Sequence, residues 1–170
     1  MTTAARSLIL NDSYFYSRLR LAVMFARYAL ALAFLSAVVD RFGVWGQMGQ
    51  LGVSWGTMEN FIVHVAKLNP WAPPALLPAL GWLVTVFEAV LGVFLIVGFM
   101  VRITALLSTV LLLLFGFAMS IFQTIKLPLN FSVFTAAACA FLVYVLSYAL
   151  HEDGRGVRGD GNISALGAHR

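Results

Sequence analysis

Glu88 is the one acidic residue in the apolar stretch TVFEAVLGVFLIVGF, residues 85–99. A charged side chain at the centre of a membrane helix costs about 2.5–3.5 kcal/mol, so Glu88 is expected either to hold a proton or to meet a cation. Arg27 is the basic residue that lies well inside another apolar run. Counting a rise of about 1.5 Å per residue from the middle of each run places the two residues within about 3 Å of each other in depth. We therefore predict an intramembrane ion pair between Arg27 and Glu88.

This predicted pair has two interpretations. It can be structural and fix the register of two helices, because Gly81, Thr85, Glu88 and Gly92 form a face of small residues that allows close approach. It can instead be a proton or substrate site, because ionisable groups inside membrane helices mark functional sites by default. The residue types leave both interpretations open.

A second group of residues flanks the apolar runs at their predicted outer ends: Asp40, Arg41, Trp45, His64, Lys126 and Asn130. Charged and aromatic groups at this surface can hold a quinone headgroup or a small anion such as thiosulfate, or they can only anchor the chain at the interface. The histidines have no second ligand at helical or loop spacing, so no metal site is predicted. The single cysteine, Cys139, excludes a thiol–disulfide relay, which needs a pair. No catalytic constellation is evident, and whether the chain is an enzyme stays open.

The composition places these residues in a membrane. Of 170 residues, 61% are hydrophobic and 11% charged, whereas a soluble domain has about 25% charged residues. Four apolar runs each meet the length of about 20 residues needed to cross a bilayer. Spanning segments must satisfy their own backbone hydrogen bonds, which favours helices. We predict an all-α membrane protein, a four-transmembrane-helix bundle with spans at about 21–39, 76–99, 103–123 and 128–149.

The segments outside the spans are also assigned. The first outer loop, 40–75, is too long for a simple connection, and TMENFIVHVAKL within it has the apolar spacing of a short interfacial helix. The excess of Lys and Arg predicts that both termini are cytoplasmic. The expected location is a bacterial-type plasma (inner) membrane. Residues 1–20 form the predicted N-terminal segment, and residues 151–170 a tail predicted to be disordered. The expected partner is the lipid bilayer, with no nucleic acid.

The stretch EAVLGVFLIVGFMVRITA resembles the central signature of DoxX-like membrane proteins. That signature is an acid followed by two glycines and an arginine, which here are Glu88, Gly92, Gly98 and Arg102. The segment ARYALALAFLSAVVDRFGVWG is similar to the family's first span, although Ala31 stands where the family has glycine. The resemblance covers roughly residues 21–149. It implies the four-helix fold and a link to membrane oxidoreductases, because some relatives are small subunits of thiosulfate:quinone oxidoreductases.

Three functions are therefore predicted as alternatives. The first is an integral membrane subunit of a redox complex, quinone- or sulfur-linked, with quinone as candidate cofactor and a membrane or soluble oxidoreductase as partner. The second is a small transporter or proton pathway centred on the predicted Arg27–Glu88 pair. The third is a structural assembly module. We rank the first above the second because the spans lack the mid-helix Gly/Pro breaks that mark many transporter sites.

Overall fold

The structure, a computed structural model, describes the backbone of residues 3–167 and the side chains of residues 14–150. This part of the chain is all-helical: α1 Thr3–Asp40, α2 Met58–Leu68, α3 Leu77–Val97, α4 Val101–Phe122, α5 Lys126–Asn130 and α6 Val133–Gly167. A 3₁₀ turn, Pro74–Leu76, leads into α3. Four segments are long and apolar enough to cross a membrane: Tyr14–Asp40, Pro74–Val97, Val101–Phe122 and Val133–Leu150. The predicted four-helix membrane bundle is confirmed.

The outward faces of the long helices are apolar as well as the inward ones. Phe25 on α1 and Val97 on α3 are 78% and 73% exposed, while Leu95 and Ala140 in the interior are fully buried. In water such continuous apolar surface would drive association. In a bilayer it faces lipid, and close packing of small residues holds the interior together instead.

The four long helices pack unequally. α1 packs against α3 and α6, and α4 packs mainly against α6, whereas α3 and α4 touch far less. Gly92 on α3 lies directly against α1, since a Cβ there would be 3.4 Å from the backbone oxygen of Ala31. Gly116 on α4 lies against the Phe134 ring of α6. Two tight pairs thus leave a gap between α3 and α4.

The short helix predicted in the first loop is α2. The Oγ1 atom of Thr57 caps it by accepting a hydrogen bond from the Asn60 backbone N–H at 3.3 Å. Its apolar face buries Phe61, Val65 and Leu68 across the ends of α3 and α4. We call this end of the bundle, formed by residues 41–76 and 123–132, the loop end, and the opposite end the terminal end.

Two predicted boundaries differ from the structure. α1 begins at Thr3 and runs through the predicted N-terminal segment, and α6 continues to Gly167, through most of the tail predicted to be disordered. Neither helix contains a proline, so no residue removes a backbone donor. The loss of apolar residues marks where the chain leaves the hydrocarbon, which is a different boundary from the end of a helix.

Candidate functional site

A buried ion pair joins the loop end of α1 to the middle of α3. Nη2 of Arg41 is 2.5 Å from Oε2 of Glu88, and the two side chains are 1% and 4% exposed. Nη1 of Arg41 donates to Oγ1 of Thr85 at 2.7 Å, and Thr85 in turn donates to the Gly81 carbonyl at 2.8 Å. Thr85 precedes Glu88 by about one turn, so both side chains lie on the same face of α3. Arg41 therefore bridges an anion and a hydroxyl on one helix face.

The predicted pairing of Glu88 with Arg27 is wrong. Arg27 lies beside the C-terminal end of α3, where a Cβ on Gly98 would be 3.0 Å from its Nη1. Gly98 is about 15 Å along the helix from Glu88. The prediction aligned the midpoints of two apolar runs, but the contact of Gly92 with Ala31 sets the register instead. α1 consequently ends deep in the bundle, and Arg41, the residue after it, reaches Glu88.

Aromatic rings and a second carboxylate complete the surroundings of Arg41. Its guanidinium carbon is 3.6 Å from the centre of the Phe61 ring and 5.3 Å from that of Trp55, both within cation–π range. Neighbouring Asp40 is buried, and its Oδ2 accepts from the backbone N–H groups of Ser54 and Trp55 at 3.1 and 2.9 Å. These contacts tie the first loop and α2 to the end of α1.

A cavity of about 1120 Å³ occupies the gap between α3 and α4 and extends beneath α2. Arg41 and Glu88 line it, together with His64 of α2 and Gln123 at the end of α4. Most of the remaining lining is aliphatic or aromatic. Four of the lining residues on α4 are also exposed at the surface of the bundle: Leu114, Phe117, Ile121 and Phe122. The cavity is therefore open toward the lipid-facing side.

His64 contributes a neutral imidazole to this lining. Its pKa is lowered below the ordinary value by burial, and further by the positive charges of Lys67 and Arg41. Its ring centre is 6.0 Å from that of Trp55. At neutral pH the side chain can therefore donate one hydrogen bond and accept another.

The structure separates the residues predicted at the outer mouth. Arg41 and His64 line the cavity. Asp40 does not line it but accepts hydrogen bonds from the backbone of Ser54 and Trp55, two residues that do. The other three do not line it: Trp45 is exposed and donates from Nε1 to the Ser36 carbonyl at 3.1 Å, and Lys126 and Asn130 are exposed on α5. Sequence reasoning missed Gln123, Trp55 and Phe61 as cavity residues. The sequence carries a signal only for Gln123, as the polar residue that ends an apolar run.

The signature residues other than Glu88 lie outside the cavity. Gly92 packs on α1, and Gly98 ends α3 in the left-handed conformation with φ of 79°. Arg102 stands on the first turn of α4 with its guanidinium carbon 4.2 Å from the centre of the Tyr148 ring of α6. These residues hold helices together, so the cavity chemistry rests with Glu88 and its partners.

The arrangement suits an amphipathic molecule. Its apolar part would contact the walls of α3 and α4, and its polar part would face Arg41, His64 and Gln123. Comparison of the chain with protein-family models, with curated proteins and with solved structures finds no match in any of the three. The resemblance to DoxX-like proteins thus stays a prediction from the quoted residues.

Proposed function

We propose that this protein is a membrane subunit of a redox complex, quinone- or sulfur-linked, and that it holds a lipid-soluble molecule of the quinone class between α3 and α4. The observation that carries the proposal is an apolar cavity of about 1120 Å³ with a buried ion pair in its wall. Ligand sites are mostly apolar pockets of about 300–1,000 Å³ with a few placed polar groups. A ring with carbonyl groups and an isoprenoid chain has this division of polarity.

The open side of the cavity supports a ligand that reaches the site through lipid. Leu114, Phe117 and Ile121 belong both to the cavity lining and to the outer surface of α4. A water-soluble ligand would gain nothing from such a route, whereas a molecule dissolved in the bilayer already lies beside it. In this proposal the chain binds and orients the ligand, and a partner oxidoreductase exchanges electrons with it.

A proton pathway is the second candidate, and one observation favours it. Glu88 is buried in the bundle and also lines the cavity, and intramembrane carboxylates commonly take part in proton relays. The centre of such a pathway would be the Arg41–Glu88 pair. Proton flux into liposomes that is abolished by Glu88→Gln, with no quinone bound to the purified protein, would favour this function over the first.

The proposal is tested by placing a large side chain in the cavity wall formed by α4. Ala118 of α4 lines the cavity, while Ala138 of α6 is exposed and does not. The wild type, Ala118→Trp and Ala138→Trp are purified in mild detergent, and their bound lipid-soluble molecules are identified and quantified by mass spectrometry. We expect quinone with the wild type and Ala138→Trp, and about tenfold less with Ala118→Trp, a change of about 1.4 kcal/mol in binding.

Equal amounts of quinone in all three preparations, or none in the wild type, would refute the proposal. Helical content and melting temperature are measured in parallel, so that loss of ligand is separated from loss of fold.

A further inference from the structure

We infer that the polar end of the ligand is uncharged and carries at least two hydrogen-bond acceptors, as the carbonyl groups of an oxidised para-quinone do. This inference rests on the proposed function, because it specifies the chemistry of the molecule held between α3 and α4. Three observations carry it: unpartnered donors, their chemical type, and the balance of charge.

The first observation concerns buried nitrogen atoms. Within the described side chains, Nε of Arg41, Nε2 of His64 and Nε2 of Gln123 are buried without a hydrogen-bond partner. Nε of Arg27 and Oδ1 of Asp40 are unpartnered too, but these residues do not line the cavity, and Oε2 of Glu88, which makes no hydrogen bond, is ion-paired with Arg41. Buried polar atoms are nearly always partnered, and leaving one unpaired costs about 1–3 kcal/mol. The three belong to different parts of the chain, yet all three residues line the same cavity. A ligand in the cavity would satisfy them together.

The second observation is the type of these atoms. Arginine Nε and the amide nitrogen of glutamine only donate hydrogen bonds, and the Nε2 of a neutral histidine donates or accepts. The complementary group on the ligand is therefore an acceptor for Arg41 and another for Gln123. Two carbonyl oxygens on one ring provide this pair, whereas a hydrocarbon or a simple alcohol does not.

The third observation excludes a negative charge on the ligand. The positive charge of Arg41 is already matched by Glu88 at 2.5 Å, and Asp40 places a second buried carboxylate next to it. His64 adds no charge at neutral pH, because burial and the nearby cations lower its pKa. An anion such as thiosulfate would lose its hydration beside two carboxylates with no free cation in the cavity lining, which is unfavourable.

The test compares probes that share one tail. The full chain in lipid nanodiscs is titrated with 2-decyl-1,4-benzoquinone, its quinol and decylbenzene, and binding is followed by native mass spectrometry, with thiosulfate as a competitor. We expect the quinone to bind about tenfold more tightly than decylbenzene, equivalent to about 1.4 kcal/mol. The quinol should bind more weakly than the quinone, because a phenol oxygen is a weaker hydrogen-bond acceptor than a quinone carbonyl oxygen, and thiosulfate should not compete.

Gln123→Leu removes one donor at nearly constant size, and Asn130→Leu is the matched control, an amide on α5 that does not line the cavity. Gln123→Leu should weaken quinone binding about fivefold and leave decylbenzene binding unchanged, whereas Asn130→Leu should change neither. Arg41 is left intact, because its loss would strand the Glu88 carboxylate.

The possible failures are distinguishable. Equal affinity for quinone and decylbenzene, displacement of quinone by thiosulfate, or unchanged quinone binding by Gln123→Leu would each overturn this inference and leave an apolar binding cavity. Failure of every decyl probe to bind would overturn the proposed function along with it.

Discussion

At the scale of single residues, Arg41 connects more of the molecule than any other side chain of the site. It neutralises Glu88, donates to Thr85 and stacks on Phe61, so it links the end of α1, the middle of α3 and the face of α2. Burying a charge is tolerable only when it is paired and hydrogen-bonded. The ion pair therefore stabilises the fold. Its loss should lower the free energy of unfolding more than it lowers ligand affinity.

A double-mutant cycle measures the coupling energy between Arg41 and Glu88. Arg41→Leu leaves a buried carboxylate without its cation and should lower the free energy of unfolding by about 3–5 kcal/mol, while Arg41→Leu combined with Glu88→Leu should recover much of that loss. Arg27→Leu in the same cycle with Glu88→Leu is the matched control and should show additive effects. Denaturant unfolding in detergent micelles provides the energies. Coupling of Glu88 to Arg27 as strong as that to Arg41 would contradict the structure.

His64 makes the stability depend on pH. Its pKa is lower in the folded protein than in the unfolded chain because of burial, Lys67 and Arg41. The unfolded chain therefore binds more protons, and the contribution of His64 to stability is full above the unfolded pKa of about 6.5 and declines as the pH falls below it.

The measurement is the melting temperature between pH 8 and pH 5, for the wild type and for His64→Gln, which cannot take up a proton. The wild type should lose more stability than the variant as the pH falls. Since all other titrating groups are common to both proteins, parallel curves would exclude His64 as a source of the dependence.

Between the helices, Arg27 of α1 packs against the turn that joins α3 to α4. Gly98 has φ of +79°, and a Cβ there would be 3.0 Å from Nη1 of Arg27. Gly52 has a similar φ of +82° with nothing within 4 Å of the same position. The left-handed conformation costs an L side chain about 1–2 kcal/mol wherever it occurs.

Gly52→Ala should therefore show this backbone cost alone, and Gly98→Ala should show it together with the crowding against Arg27. The comparison is made by thermal or denaturant unfolding of the two variants beside the wild type. If Gly98→Ala is no more destabilising than Gly52→Ala, Arg27 does not lie where the structure places it.

The helices also show what could be predicted from the sequence. Local residue patterns, which a single sequence contains, are enough to predict the four spans, α2 with its Thr57 cap, and the burial of Glu88. The partner of Glu88 depends on the register of α1 against α3, which is set by the contact of Gly92 with Ala31. The long first loop, residues 40–75, leaves this register free in the sequence. Arg41 lies at the end of an apolar run, where charged residues are usually exposed. The residues next to it in the sequence therefore do not predict that it is buried.

In the bundle as a whole, unequal packing of the four long helices produces the cavity. The α1–α3 and α4–α6 pairs are tight, and the weakly packed α3–α4 side stays open toward lipid. α2 covers the loop end of this gap. Phe61, on the buried face of α2, is the residue whose ring contacts the Arg41 guanidinium. In the proposed function, this open side is the route by which a ligand enters from the bilayer.

The exposed cations predict the direction of the bundle in the membrane. At the terminal end Arg18 and Arg20 are exposed and Arg102 is partly exposed. At the loop end Arg41 is buried in its ion pair, which leaves Lys67 and Lys126. Because Lys and Arg are retained on the cytoplasmic side, the terminal end should face the cytoplasm.

Single-cysteine labelling tests this orientation, with Cys139→Ala as the background because the chain has one native cysteine. Leu51→Cys places a thiol on the loop end, and Met100→Cys places one in the α3–α4 turn at the terminal end, and both positions are exposed. In intact cells a membrane-impermeant maleimide should label position 51, and position 100 should react only after permeabilisation. The reverse pattern would place the terminal end outside, and equal labelling of both positions in intact cells would contradict a bundle that spans the membrane with these two ends on opposite sides.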